Sequence, residues 1–297
     1  MSEQHSANNN TPVQIEPKFR VVPAAQGIVW LKQALALVRQ NPMGWVRCSL
    51  IMMLSFFLSL IAIMLIPLLF PLYFVLTSLF IGGLMLGCFQ LTQGKSLTSQ
   101  ALFSGFKHNT KPLALVGLVY FSGTLLSALL AFWRSDVMGH GLYLPAGLED
   151  ILKQPVPQIS PDEALKTLQS LVLPILLMMG LMIPVLMAFW FAPALVMLFN
   201  QSPITALKLS LRACALNTWP FLIYGLVALF ALFIGMLVIG VLSIMLPFIG
   251  PILKFSFQIF IAAMAMASIY TAFKDIFPVV ELFESQDEDS PSDHLIA

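Results

Sequence analysis

The stretch Gln201–Phe221, QSPITALKLSLRACALNTWPF, decides the fold. Ser202 can cap a helix and Pro203 suits its first position, so a short helix is expected from here to Asn217. Ile204, Leu207, Leu211 and Cys214 recur at helical spacing and define an apolar stripe. Lys208 and Arg212, four apart, lie on the polar side. Beyond Asn217 the chain enters a long apolar run at once, so an amphipathic helix hands over directly to a membrane span. Two other stretches share this design: Gln93–Leu113, QGKSLTSQALFSGFKHNTKPL, and Ala25–Trp45, AQGIVWLKQALALVRQNPMGW.

The three stretches form a repeat. Asn41 and Asn109 are 68 residues apart, Asn109 and Asn217 are 108 apart, and the difference is 40. Pro71 stands 30 residues after Asn41, and Pro247 stands 30 residues after Asn217, each between two apolar runs. The same offset from Asn109 reaches Gly139, inside the polar stretch Arg134–Ser170. A single insertion at that turn restores the period. Copies two and three also share Gln93 and Gln201, Thr110 and Thr218, Pro112 and Pro220, and Gly117 and Gly225. Three-fold duplication of a helix–hairpin unit is therefore expected, a common way to build membrane bundles.

Composition fixes the class. Hydrophobic residues make up 59% of the 297 residues and charged residues 10%, with a mean hydropathy of +0.89. Soluble domains carry about 25% charged residues. A helical span needs about 20 apolar residues. Six runs reach that length, at roughly 43–65, 69–91, 113–133, 171–198, 219–242 and 250–272, and none contains Asp or Glu. The runs are continuously apolar and do not alternate, which excludes a barrel. The expected fold is all-α: a polytopic helical bundle of six transmembrane helices in three hairpin repeats, each preceded by a cytoplasmic amphipathic helix. Residues 1–18 read as a disordered polar tail without a secretory signal, 19–275 as the membrane domain, and 276–297 as an acidic disordered tail.

The first copy carries Ile28, Leu31, Leu35 and Val38 on one stripe, with Lys32 and Arg39 elsewhere. Such a helix can lie in the headgroup plane. In the middle copy the apolar side is Leu102, Phe103 and Phe106, beside Lys107. Gly83 and Gly87, and likewise Ala263 and Ala267, permit close helix approach inside the bundle. Ser160-Pro161-Asp162-Glu163 is a capping box, so a helix should begin near Pro161 and run into the fourth span. Pro174, Pro184 and Pro193 are candidates to kink that span.

Charge sets the orientation. Eleven Lys and Arg fall on the side of both termini and three on the side of the 134–170 loop. The positive-inside rule then puts both termini and the three amphipathic helices in the cytoplasm, and the loop outside. Lys254, with Gln258 one turn on, stands inside an apolar run. An intramembrane ionisable residue is a functional candidate, but this one is close enough to the Pro247–Pro251 turn to snorkel outward.

Much chemistry is missing from the sequence. There is no phosphate-binding glycine loop or dinucleotide fingerprint. The four histidines are scattered and none stands at metal-ligand spacing with Cys or carboxylates. No catalytic residue, metal or cofactor is indicated, and no aromatic-basic surface suggests nucleic acid. The cysteines sit at cytoplasmic positions, where disulfides are not expected.

The pattern Thr205-Ala206-Leu207-Lys208-Leu209-Ser210 through Asn217 resembles a family of uncharacterised bacterial inner-membrane proteins. It is also similar to the membrane domain of glycerophosphodiester phosphodiesterases. The resemblance covers roughly residues 20–275 and implies a membrane module without its enzyme, since no soluble catalytic domain is present. Three functions stay open. The favoured one is a non-catalytic protein that organises membrane lipids, anionic ones included, or a protein partner through Lys32, Arg39, Lys107, Lys208 and Arg212 at one membrane face. The second is a transporter or channel for a lipid or other amphiphile, using Lys254 and Gln258. The third is a membrane enzyme using Asp136, His140, Glu149 and Asp150 of the external loop.

Overall fold

Proline and asparagine set where the helices begin. The computed structural model describes residues 17–133 and 161–278. The external-loop candidates Asp136, His140, Glu149 and Asp150 lie outside those residues, as does most of both expected tails. After an extended segment, α1 spans Gln26–Gln40. Helix α2 is Pro42–Leu65: Pro42 occupies the first turn, where no amide donor is needed, and the Asn41 side chain accepts from the Gly44 amide at 2.9 Å. A 3-10 turn at Pro67–Leu69 reverses the chain into α3, Phe70–Thr92. A one-turn helix, α4 (Ser99–Leu102), and a 3-10 turn at Phe103–Phe106 lead to α5, Thr110–Phe132. Helix α6 starts at Pro161, where the capping pattern places it, and runs to Trp190; α7, Ala192–Phe199, continues the fourth span. Then come α8, Pro203–Leu216, α9, Thr218–Met245, and α10, Gly250–Ile276.

Six segments are long and apolar enough to cross a membrane: Pro42–Leu65, Pro67–Thr92, Thr110–Phe132, Leu171–Phe199, Thr218–Met245 and Gly250–Ile276. They coincide with the six expected runs to within a few residues. The described chain is all α, a polytopic helical membrane bundle. Its outer surface carries large apolar side chains, among them Phe248 at 94% exposure and Trp219 at 71%. Water would not tolerate such a surface, whereas lipid does.

Helix α3 is the centre. It packs most extensively on α5 and also touches α2, α7, α10 and the connection through α4. Small residues make this possible. A side chain at Gly83 would run into the Leu102 carbonyl, and one at Gly105 into the Leu79 carbonyl, so the connection lies directly on the α3 backbone. Gly87 faces Leu97 and Ala101, and Ala263 and Ala267 are buried, so both small-residue pairs serve packing within the chain.

One sequence expectation needs correction. The middle copy has no continuous amphipathic helix. Gly105 must meet the α3 backbone, and Asn109 adopts the left-handed region at φ 56°, so the segment is broken into the helical turn Ser99–Leu102 and the 3-10 turn Phe103–Phe106. The structure also shows which face of each remaining helix is buried. In α8 the protein-facing residues are Ala206, Ser210, Ala213 and Cys214, while Ile204 and Leu211 are exposed. In α1 they are Gly27, Trp30, Ala34, Leu37 and Val38, while Ile28 is exposed and Leu31 and Leu35 are half-buried. Of the hydrophobic stripes, Ile28, Ile204 and Leu211 face outward while Val38 and Cys214 are buried. A membrane offers large apolar side chains a solvent of their own, and the protein interface goes to residues that let backbones approach.

Candidate functional site

Helix α1 before the first hairpin and α4 and α8 between hairpins sit at span ends, and polar residues of α1, α8 and the chain next to them build the candidate site. The local reasons can be followed residue by residue. Asp275 stands at the last turn of α10 and is the only acid in residues 17–133 and 164–278. Arg20 reaches it from the other end of the chain. Its Nε donates to the Asp275 carbonyl at 2.6 Å and its Nη2 to Oδ1 at 2.8 Å. Trp30 Nε1 donates to Oδ2 at 2.9 Å, and the Arg20 amide donates to the Ile276 carbonyl at 2.9 Å. The N-terminal segment and α1 are thereby clasped to the last span. Fully buried Trp30 then stacks obliquely on Phe221 and Tyr224 of α9, and Thr271 Oγ1 donates to the Trp30 carbonyl at 3.0 Å.

Asn217, the residue that marks the end of the deciding stretch, is fully buried. Its Oδ1 accepts from the Val22 amide at 2.9 Å, and its Nδ2 donates to the Ala213 carbonyl at 2.9 Å and the Arg20 carbonyl at 3.2 Å. The two other repeat asparagines do different work. Asn41 caps α2, and Asn109 Nδ2 donates to the Val196 carbonyl of α7 at 3.0 Å.

Ser210 explains the break in the fourth span. Its hydroxyl accepts from the Phe191 amide at 2.9 Å and donates to the Met187 carbonyl at 2.7 Å. In an unbroken helix those two backbone groups would bond to each other, so Ser210 is inserted into the ladder, and Pro193 follows at the start of α7. Of the three prolines expected to kink the span, Pro174 and Pro184 lie within helix α6.

The five candidate cations are all exposed. Lys32 and Arg39, seven apart, share the outward face of α1. Lys208 and Arg212 share that of α8, and Lys107 follows the 3-10 turn. The structure brings Arg212 over the Phe19 ring, 6.0 Å from its centroid, a cation–π contact that ties α8 to the N-terminal segment. Lys254 and Gln258 lie elsewhere, in a cleft of about 390 Å³ between α9 and α10, walled by Leu232, Met236, Ile239 and Phe257.

Sequence reasoning missed Arg20, Trp30, Ser210 and Asp275 as organising residues. One signal was available. A lone carboxylate at the end of an apolar span, on a side crowded with cations, needs a partner.

A probable inner membrane protein of Burkholderia thailandensis is 29% identical over 272 residues, covering 88% of this chain and 94% of that protein. No protein-family model matches the chain, and no solved structure does either. The six spans and the relative's name agree on a multi-pass inner-membrane protein.

Proposed function

We propose that this chain is a non-catalytic integral membrane protein that organises lipids or partner proteins at the cytoplasmic face of the inner membrane. The observation that carries this reading is the three-sided build of α1 and α8. Each docks on the bundle through small or aromatic residues, turns Ile28 or Ile204 and Leu211 outward, and exposes two cations, Lys32 and Arg39 or Lys208 and Arg212. A helix so fixed presents charge at headgroup level without moving. Each cation near an anionic surface contributes about 1 kcal/mol. The eleven Lys and Arg on the side of the termini support a cytoplasmic placement.

The test has two parts. A reporter fused after Ala297 should be active in the cytoplasm, and one inserted near Gly147 outside. The purified double variant Lys208→Gln/Arg212→Gln should retain less anionic lipid or co-purifying partner than the parent, with the difference shrinking at high salt because exposed charges are screened. Equal content at both salt levels refutes the role of α8. The transporter reading has one observation in its favour, the apolar cleft holding Lys254 and Gln258. It predicts that substitutions in that cleft matter more than those on α8.

A further inference from the structure

A basin of about 450 Å³ opens beside α1. Its walls come from parts of the chain far apart in sequence: Arg20 of the N-terminal segment, Gln33 and Gln40 of α1, Thr92 at the end of α3, and Tyr270 and Lys274 in the last turns of α10. A second basin of about 470 Å³ adjoins it through Gln40 and Thr92 and adds Lys95 and Ser96. The two form one trough. The only carboxylate in it is Asp275, and both its oxygens are occupied, Oδ1 by Arg20 and Oδ2 by Trp30. Its charge is therefore matched within the fold. Lys274 and Lys95 are exposed and have no carboxylate within salt-bridge reach among the described residues. Between them lie neutral donors, the Gln33 and Gln40 amides, beside the Thr92 hydroxyl, which donates to the Phe89 carbonyl at 2.7 Å and rests 3.1 Å from the Tyr270 hydroxyl.

Two ammonium groups without a carboxylate partner among the described residues, with amide donors between them, suit a tetrahedral oxyanion whose ester oxygens also need hydrogen bonds. The trough's position selects the source. Thr92 is the last residue of one span, and Lys274 is in the last turn of another, so the site stands at the level of lipid headgroups. Ala36 and Leu37 give it an apolar flank. We propose that this trough binds the phosphodiester headgroup of an anionic membrane lipid. The proposal rests on the lipid-organising reading above but uses none of its five outward cations, so the two can fail separately.

The experiment uses the full chain purified in an uncharged detergent. Native mass spectrometry and equilibrium titration follow binding of short-chain phosphatidylglycerol, with short-chain phosphatidylcholine and inorganic phosphate as the other arms. The expected result is saturable binding of phosphatidylglycerol, weakened about fivefold by Lys274→Gln, as the loss of one headgroup-level cation implies. Lys95→Gln should weaken it similarly, and Lys111→Gln, at an exposed lysine outside the trough, should leave it unchanged. Thermal unfolding of each variant, coincident with the parent, excludes misfolding as the cause. Equal affinity for inorganic phosphate would overturn the lipid as the source while leaving an oxyanion site. Binding that appears only after residues 279–297 are removed would overturn the proposal in favour of the chain's own acidic tail as occupant. Loss of binding in the Lys208/Arg212 variant with none in Lys274→Gln would overturn the trough and leave the broader reading standing.

Discussion

Replacing Asn217 with alanine removes one side chain and three hydrogen bonds. Asn217 is fully buried, and it joins α8 to the N-terminal segment through the Val22 amide and the Arg20 carbonyl while holding the Ala213 carbonyl of its own helix. The Val22 amide would lose its acceptor in a buried place, a loss of about 1–3 kcal/mol, and each of the other two bonds is worth about 0.5–1.5 kcal/mol. The expected destabilisation is about 2–6 kcal/mol. At roughly 2–4 °C per kcal/mol for a domain of 150–250 residues, about 3 kcal/mol lowers the melting temperature by about 6–12 °C. The protein carries its own reporter, since Cys48, Cys88 and Cys214 are buried free thiols that a maleimide dye can label only on unfolding. Asn41→Ala is the control. It removes a single cap bond and should cost about 1 kcal/mol. Asn217→Ala melting no lower than Asn41→Ala would refute the assignment of Asn217 as the joint between the two ends of the chain.

Gly105→Ala puts a methyl group against the Leu79 carbonyl, where backbone would have to move, and should destabilise by about 1–3 kcal/mol; Gly225→Ala meets nothing within 4 Å and should be neutral or slightly stabilising in the same melt. Lys254→Met should leave abundance and lipid content unchanged, because the ammonium is exposed near the Pro247–Pro251 turn; loss of a cellular phenotype at normal abundance would instead favour the transporter reading. Burial pushes the Cys214 thiol up from 9.0 to about 12, the Ser210 hydroxyl opposing only in part. The thiolate is the reactive form, so iodoacetamide should label native Cys214 very slowly at pH 8 and faster as pH rises. The same shift favours the fold below pH 9 and is lost between 9 and about 12, so alkaline melts should fall across that window, less so in Cys214→Ala.

How far the sequence could be read follows from which forces leave a pattern in it. The spans were legible because twenty apolar residues in a row have few other destinations, and their ends because Pro42, Pro203 and Asn41 act on the nearest turn of backbone. Ser202 accepts from the Thr205 amide at 3.3 Å, as expected of a cap. The docking face of α8 was not legible. Hydrophobicity ranks Ile204 and Leu211 above Ala206 and Ser210, yet the second pair is buried. The rank answers how a side chain likes water, and at a membrane boundary the competition is between protein and lipid. The candidate cations were legible as exposed charge. The Arg20–Asp275 clasp was not, because its partners are 255 residues apart and no periodic signal links them.

The last hairpin carries this reasoning furthest. The most apolar window of Thr218–Met245 has no buried residue, although it has the highest hydropathy of the six spans at 2.8. Apolar character therefore does nothing to hold α9 to the rest, since lipid serves it equally well. Helix α10 also packs on α2 and α3, but beyond its own hairpin α9 meets the bundle chiefly at one end, where it and α10 pack on α1. There Gly27 sits so close to the Pro220 carbonyl and Tyr224 amide that no larger residue fits, and Trp30 fills the space between Phe221, Tyr224 and Thr271. Polar bonds close the joint: Arg20 and Trp30 to Asp275, and Asn217 to Val22. An N-terminal element that precedes the first span thus ties the last hairpin to the bundle at that end. The hairpin should accordingly follow α1 wherever the charge on α1 is held, which is why a small, polar, sparsely hydrophobic stretch of the chain governs the placement of its most hydrophobic one.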